Sequence, residues 1–210
     1  MLKLVAAVTA GLVAMGGWAV VTVKDLPEYF VAGQQYTIEF QVRQHGKTLL
    51  NDLHPSLVVG TSDRKQEATV PAVARPSAGT YAVTFTAPTA ERVFLTIKSG
   101  FMNTQLRLYP QTVVAAGGSR RSLSASERGQ ILFVAKGCNT CHSNIDLTDR
   151  PENQGITVGP ELGGRHLARE FVILKLKNPG ENMPDLGLSD AEANAIAAFL
   201  NGARGAASGR

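Results

Sequence analysis

Two spacings of apolar residues divide this chain into a part with a period of two and a part with a helical period. Over residues 20–115, apolar and polar residues alternate, which is typical of β-strands with one buried face. The alternation is clearest at residues 36–43, 80–87 and 93–98. Shorter runs lie at residues 20–24, 57–59 and 66–73, and a last strand contains Leu106, Leu108 and Val113. About seven short strands between turn residues predict an all-β sandwich of the immunoglobulin type.

From Ser124 onward the period becomes helical. Ser124 and Glu127 form a predicted capping box, which opens a helix that runs to about Lys136. Gly137 suits the left-handed position that follows a helix. A second helix is predicted over residues 167–177. Its apolar stripe consists of Leu167, Phe171 and Leu174.

A second capping box, Ser189 to Glu192, opens the last predicted helix, which runs to about Asn201. Its apolar face consists of Ala193, Ile196, Ala197 and Leu200. The chain is therefore predicted to be multidomain, with an all-β sandwich followed by an all-α domain. The boundaries are a targeting segment 1–19, a sandwich 20–115, a Gly- and Ser-rich linker 116–123, a helical domain 124–202 and a disordered tail 203–210.

The N-terminal segment has the pattern of an export signal. Lys3 is followed by the uncharged run 4–23, and small residues surround a cleavage position near Ala19. Cleavage there is favoured because residues 20–23 resemble the first strand of the sandwich. An uncleaved membrane anchor is the alternative, since about 20 residues are enough to span a bilayer. Both readings place the rest of the chain in the periplasm or at the periplasmic face of the cytoplasmic membrane.

Composition adds little to this picture. The net charge is +4 and the hydrophobic content is 44%, which is normal for a globular protein. Because the basic residues form no stripe along any predicted element, no nucleic-acid partner is predicted.

The chemistry of the chain is concentrated at Cys138-Asn139-Thr140-Cys141-His142. This C-x-x-C-H pattern is typical of covalent c-type haem attachment. Two intervening residues on a helical turn bring both thiols to one side, spaced for the two haem vinyl groups, and His142 then ligates the iron. The alternatives are a disulfide, a zinc half-site or a thioredoxin-like redox pair. Zinc needs two further ligands at similar spacing, and a thioredoxin-like pair needs a βαβ context.

Residues 124–202 resemble a class I cytochrome c domain. The resemblance implies that Gly129 of the first helix allows close approach of Phe199 in the last helix, since glycine has no Cβ. It also implies that the Pro160 carbonyl accepts a hydrogen bond from the ligating His142 and orients its ring. The matching elements are Gly129-x-x-x-Phe133, Cys138-x-x-Cys141-His142, Gly159-Pro160-x-Leu162, Asn182-Met183-Pro184 and the last helix.

Met183 is the predicted sixth ligand of the iron. The resemblance places a methionine in a loop before the capped last helix, and thioether ligation favours ferrous iron. His166 is the competing ligand. Arg165 and Arg169 are candidate partners of the haem propionates, because a guanidinium suits carboxylate geometry.

The β-region shows a weaker resemblance to exported YtkA-like or FixH-like sandwiches. It rests on residues 33–42, 54–57, 79–81 and 85–88. Some domains of that type are associated with copper delivery or oxidase assembly. The candidate copper ligands are His45, His54 and Met102.

These observations predict an exported monohaem c-type cytochrome that carries single electrons and is not an enzyme, because a six-coordinate iron has no open site. The predicted partners are redox proteins of a membrane respiratory or photosynthetic complex, with possible membrane attachment through residues 4–23. One alternative is a haem-based small-ligand binder or catalyst with an open sixth site. Another is a copper or assembly module that uses the sandwich.

Overall fold

The computed structural model describes residues 17–62, 65–147 and 158–202 of the chain. Residues 1–16 of the predicted targeting segment and the predicted tail 203–210 lie outside this part. Within the described residues, no helix is both long enough and apolar enough to cross a bilayer.

The first sheet is built around the long strand β3 (Gln35–Gln44). Its order is β1 (Ala19–Val23), β3, β8 (Thr80–Thr86) and β7 (Val73–Ala74), and β4 (Thr48–Leu49) pairs with the end of β3. All of these pairings are antiparallel.

The second sheet is built around β9. Its order is β2 (Phe30–Val31), β11 (Gln111–Val114), β9 (Arg92–Lys98), β5 (Ser56–Ser62) and β6 (Lys65–Pro71). Strand β10 (Gln105–Arg107) also pairs with β9, and only β2 with β11 is parallel among the described pairs. Alternate apolar residues of both sheets form one core, which confirms the predicted sandwich. Its members include Ile38, Phe40, Val42, Leu57, Tyr81, Val83, Val93, Leu95 and Ile97.

Two predicted strands are each divided in the structure. Residues 66–73 were predicted as one run, but β6 pairs with β5 whereas β7 pairs with β8 in the other sheet. The chain therefore changes sheets after Pro71, which cannot donate a further ladder hydrogen bond. The last predicted strand is likewise interrupted at Pro110 into β10 and β11. The two-residue strands β2 and β4 were not predicted, since so short a segment carries no periodicity.

The helical region contains α1 (Ala125–Ala135), α2 (Cys138–Cys141), α3 (Arg169–Lys177) and α4 (Asp190–Leu200). Both predicted capping boxes are confirmed, at Ser124 with Glu127 and at Ser189 with Glu192. Gly137 has a φ of 77°, as predicted for the residue after α1.

The predicted apolar stripe of α3 is wrong. Val172 and Leu176 are its buried residues, whereas Phe171 and Leu174 are 49% and 58% exposed. The two pairs lie on nearly opposite faces, because each residue of a helix turns about 100° from the last. Leu167 precedes the helix, and its N–H donates to the Leu200 carbonyl over 3.2 Å.

Helices α1 and α4 pack closely at Gly129. A Cβ placed on Gly129 would lie 1.9 Å from the Ala195 carbonyl oxygen and 2.8 Å from Phe199 Cβ. Phe133, one turn further along α1, meets Phe199 edge-to-face with ring centroids 5.7 Å apart. The close approach between Gly129 and Phe199 that the resemblance implies is therefore present.

Strand β1 is buried on both faces. Ala19, Val21 and Val23 belong to the sandwich core, while Val20 and Thr22 point the other way because side chains alternate along a strand. The Thr22 hydroxyl donates to the Lys136 carbonyl at the end of α1 over 3.3 Å. The helical region thus covers the outer face of β1.

Candidate haem site

The two cysteines lie on the single turn α2. Gly137 turns the chain sharply between α1 and α2, and the His142 N–H closes the turn on the Cys138 carbonyl at 2.9 Å. Both cysteines are free thiols and both are partly exposed. Burial raises the pKa of Cys138 to about 12, with a smaller contribution from Cys141, and burial also raises the pKa of Cys141. Both sulfurs therefore carry protons at neutral pH.

His142 is oriented through one ring nitrogen. Its Nδ1 lies 2.9 Å from the Pro160 carbonyl oxygen, which is the contact that the resemblance implies. Because a carbonyl oxygen accepts only, Nδ1 carries the proton and Nε2 presents a lone pair. The arrangement suits a neutral histidine that ligates a metal through Nε2.

Gly159 is a second determinant of the ring position, and the sequence analysis gave it no separate role. A Cβ placed on Gly159 would lie 2.4 Å from His142 Cε1 and 2.5 Å from Nδ1. Any other residue here would displace the imidazole. The signal was available in the Gly-Pro-x-Leu stretch, but only the fold shows which ring lies above the glycine.

The segment that holds Pro160 is fixed to the residues after α2 by backbone hydrogen bonds. The N–H groups of Val158 and Gly159 both donate to the Cys141 carbonyl, at 3.1 and 2.9 Å. The Leu162 N–H donates to the Ser143 carbonyl at 2.9 Å. The Pro160 carbonyl is therefore attached to the same short stretch that carries His142.

Glu161 adds side-chain hydrogen bonds between the same two segments. Its Oε1 accepts from the N–H groups of Ile145 and Gly163, at 3.2 and 2.8 Å. Hydrogen bonding from Ser143 is the main cause that lowers the pKa of Glu161, and these backbone N–H groups contribute further. The carboxylate remains charged at neutral pH. The sequence analysis did not identify this residue.

Met183 lies half-buried in the loop between α3 and α4 and packs against the hydrophobic core. Its N–H donates to the Gly180 carbonyl at 3.0 Å. Lys177, at the end of α3, donates to the Leu188 carbonyl at 2.8 Å and pairs with Asp190 at 2.7 Å. Both ends of the loop are thereby attached to one another.

The competing residues have protein partners. His166 is exposed at a φ of 44°, and its Nδ1 lies 3.4 Å from the Asn201 carbonyl oxygen at the end of α4. Arg165 donates to the Glu161 carbonyl at 3.1 Å. Arg169 donates to the Asn194 side chain.

The candidate copper ligands of the sandwich lie in three separate loops. His45 lies between β3 and β4 with its ring 5.5 Å from that of Trp18, His54 precedes β5, and Met102 lies between β9 and β10. Across the described ranges, no group of three or more His, Cys, Asp and Glu side chains is arranged to hold a metal ion.

The donors and the surface around α2 fit haem c. Two thiols, an imidazole with a free Nε2 and a thioether provide the attachment and ligation that this group needs. Several large apolar side chains of the described helical region are exposed, and apolar surface of this kind would suit a porphyrin. They are Ile145, Val158, Phe171 and Leu174.

The helical region is similar to a c-type cytochrome domain, a class that binds haem c and transfers electrons. Residues 124–200 match the family described as cytochrome c oxidase, cbb3-type, subunit III. The match covers less than half of the chain and leaves the sandwich outside it.

No curated protein matches the chain. Among solved structures, domains 4 and 5 of the S-layer protein SbsC are 25% identical over 45% of this chain, with a TM-score of 0.30, and the chain covers 51% of that structure. The Lin-41 filamin domain is 20% identical over 46% of this chain and 91% of its own length, also with a TM-score of 0.30. The likeness of the sandwich to YtkA-like or FixH-like domains stays a prediction.

Proposed function

We propose that this protein is an exported monohaem c-type cytochrome that carries single electrons and is not an enzyme. The haem is attached through Cys138 and Cys141, and His142 and Met183 hold the iron. The observation that carries the proposal is the hydrogen bond between His142 Nδ1 and the Pro160 carbonyl oxygen. In the neutral ring this bond leaves the lone pair on Nε2, and His142 directly follows the turn that carries both thiols.

The chain's own residues perform attachment and orientation. Cys138 and Cys141 would hold the haem covalently through their thiols, and His142 and Met183 would hold its iron. The bound haem supplies a one-electron ferric–ferrous couple. Pro160 and Gly159 hold the histidine ring, and the Met183 thioether favours the ferrous state. If His142 and Met183 both ligate the iron, no open position remains for a substrate.

Electron transfer requires a redox partner, and the family match supports a membrane redox complex as that partner. We place the protein in the periplasm or at the periplasmic face of the membrane, because the N-terminal run has the pattern of an export signal. Contacts made by residues 17–19 with the sandwich favour retention of these residues. The His45 N–H donates to the Trp18 carbonyl at 3.0 Å, and Ala19 is fully buried in β1.

The axial ligand is tested with the oxidised holoprotein. The wild type is expected to show the near-infrared sulfur-to-iron charge-transfer band, and Met183→Ala is expected to lose it, to have a lower potential and to bind carbon monoxide in the ferrous form. His166→Ala is the control and is expected to keep the band. A wild type without the band, or a spectrum altered by His166→Ala alone, would favour the ligand-binding alternative.

A further inference from the structure

The sandwich contacts the chain on both sides of the proposed iron site. Gly137, which directly precedes Cys138, lies against β1. A Cβ placed on Gly137 would lie 2.7 Å from Val20 Cγ1 and 2.7 Å from the Val21 carbonyl oxygen. Together with its φ of 77°, this distance restricts the position to glycine. The start of the attachment turn is thus packed directly on the outer face of β1.

The turn between β3 and β4 contacts the loop that carries Met183. A Cβ placed on the buried Gly46 would lie 3.5 Å from Val20 Cγ2 and 3.6 Å from Pro184 Cγ. Lys47 Nζ lies 3.5 Å from Asn182 Oδ1. The residues on either side of Met183 therefore both face this turn.

The charges of Arg43 and Asp185 support the same contact between the end of β3 and the Met183 loop. Burial lowers the pKa of Arg43, near the end of β3, and the negative charge of Asp185 opposes that shift. Arg43 Nη2 donates to Gln41 at 2.7 Å, while its buried Nη1 has no hydrogen-bond partner among the described residues. A half-buried guanidinium thus faces an acidic residue of the Met183 loop.

Val20 joins the two sides of the site. Its Cγ1 lies against Gly137 and its Cγ2 lies against Gly46, which is covered in turn by Pro184. We call Gly137, Val20, Gly46 and Pro184 the contact row. It connects the residue before Cys138 with the residue after Met183 through neighbouring residues that all lie outside the core of the sandwich.

We infer that Val20 and Gly46 are positioning residues for the iron site: through the contact row, the sandwich holds the Met183 loop at a fixed distance from the attachment turn. The inference rests on the proposed ligation by Met183. Close-packed interiors deform little, so a loop that contacts the β3–β4 turn, which in turn lies against Val20 of β1, would keep its sulfur in place when the iron changes oxidation state. Removing atoms from Val20 leaves a cavity into which the loop can shift.

The test compares Val20→Ala with Val23→Ala in the full-length holoprotein. Both valines lie in β1 and both are buried, but Val23 belongs to the sandwich core, whereas Val20 points to the opposite face of the strand. Both variants are expected to lower the melting temperature. Only Val20→Ala is expected to lower the potential and to lose the sulfur-to-iron band at a temperature below that of global unfolding.

A second pair of variants tests the same inference if Val20→Ala does not fold. Gly46→Leu and Gly33→Leu place the same side chain at left-handed φ values of 73° and 75°, but nothing lies within 4 Å of a Cβ on Gly33. Gly46→Leu alone is expected to weaken the band and lower the potential. If both variants of the row behave like their controls, the inference is overturned while Met183 ligation stands. A wild type without the band would overturn both proposals.

Discussion

At the scale of single residues, Gly159 acts most directly on the proposed histidine ligand. Gly159→Ala would place a Cβ 2.4 Å from His142 Cε1, so the ring must rotate away from the Pro160 carbonyl. Removing a residue that orients a metal ligand typically lowers metal affinity or activity by about 10- to 100-fold. We therefore expect a lower yield of correctly ligated haem and a changed potential.

The measurement is the visible spectrum and the potential of purified Gly159→Ala. Gly180→Ala serves as the control, because nothing lies within 4 Å of a Cβ at that position. If the spectrum and potential of Gly159→Ala equal those of the control, His142 does not depend on the glycine for its orientation.

At the scale of elements, the crossing of α1 and α4 depends on Gly129. Helix propensity alone predicts that Gly129→Ala stabilises α1, by about 1 kcal/mol. The packing predicts the opposite, because the added Cβ would lie 1.9 Å from the Ala195 carbonyl oxygen. Overpacking costs about 1–3 kcal/mol, or a fall in Tm of roughly 2–10 °C for a chain of this size. A thermal melt in which Gly129→Ala is more stable than the wild type would contradict the close approach.

The same two helices are joined by a buried ion pair between Lys136 and Glu192, with Nζ 2.6 Å from Oε1. Burial raises the pKa of Glu192, but hydrogen bonds from Lys136 and Ser189 outweigh it, and the net pKa is lowered. Because the pKa of Glu192 is lower in the folded chain, its charged form stabilises the fold above the pKa of the unfolded chain, about 4.3. This contribution to the free energy of unfolding is lost as the pH falls through the pKa of the folded chain. Glu192→Gln should therefore lower the free energy of unfolding by about 3 kcal/mol at neutral pH. It should also make that free energy less dependent on pH in the acidic range.

Urea unfolding followed by far-ultraviolet circular dichroism at neutral and acidic pH measures this effect. Asp190→Asn is the control, because Asp190 pairs with Lys177 while its side chain is 90% exposed. Exposed pairs contribute about 0–1 kcal/mol, so little change is expected there. If the free energy of unfolding depends on pH in the same way for Glu192→Gln and the wild type, the Lys136–Glu192 pair does not cause that dependence.

At the scale of the whole molecule, the described residues join the sandwich to the helical region through α1 and the β3–β4 turn. Lys136 Nζ also donates to the Lys24 carbonyl, and Arg128 donates to the carbonyls of Leu26 and Pro27. Gln130 Nε2 lies 3.1 Å from the Tyr109 hydroxyl. The sandwich and the helical region are thus joined by direct side-chain contacts in addition to the linker 116–123. The domain boundaries themselves stay a prediction.

The N-terminal segment is tested by the intact mass of the protein from its native host. Because Ala19 is fully buried, its N–H donates to Thr104 Oγ1 at 3.2 Å, and Trp18 contacts His45, we expect residues 17–19 to be retained. A mass that begins at Val20, with release of the protein by a salt wash, would instead support cleavage near Ala19.

Local sequence patterns predicted most of the elements of this protein and the residues of its candidate site. Capping boxes act within one turn of chain, so Ser124 and Ser189 were identified from their neighbours alone. Alternation in β3, β8 and β9 depends only on the pleat of a strand, and the spacing of Cys138, Cys141 and His142 is contained in five consecutive residues.

Only the tertiary structure decided which faces are covered. Phe171 and Leu174 form an apolar pair that a sequence assigns to a core, but the structure buries Val172 and Leu176 of the same helix instead. The outward-facing Val20 of β1 resembles the end of a signal segment in sequence, yet the helical region buries it. The reason is that burial depends on contacts between residues more than 100 positions apart, such as Thr22 with Lys136, and no local pattern encodes them.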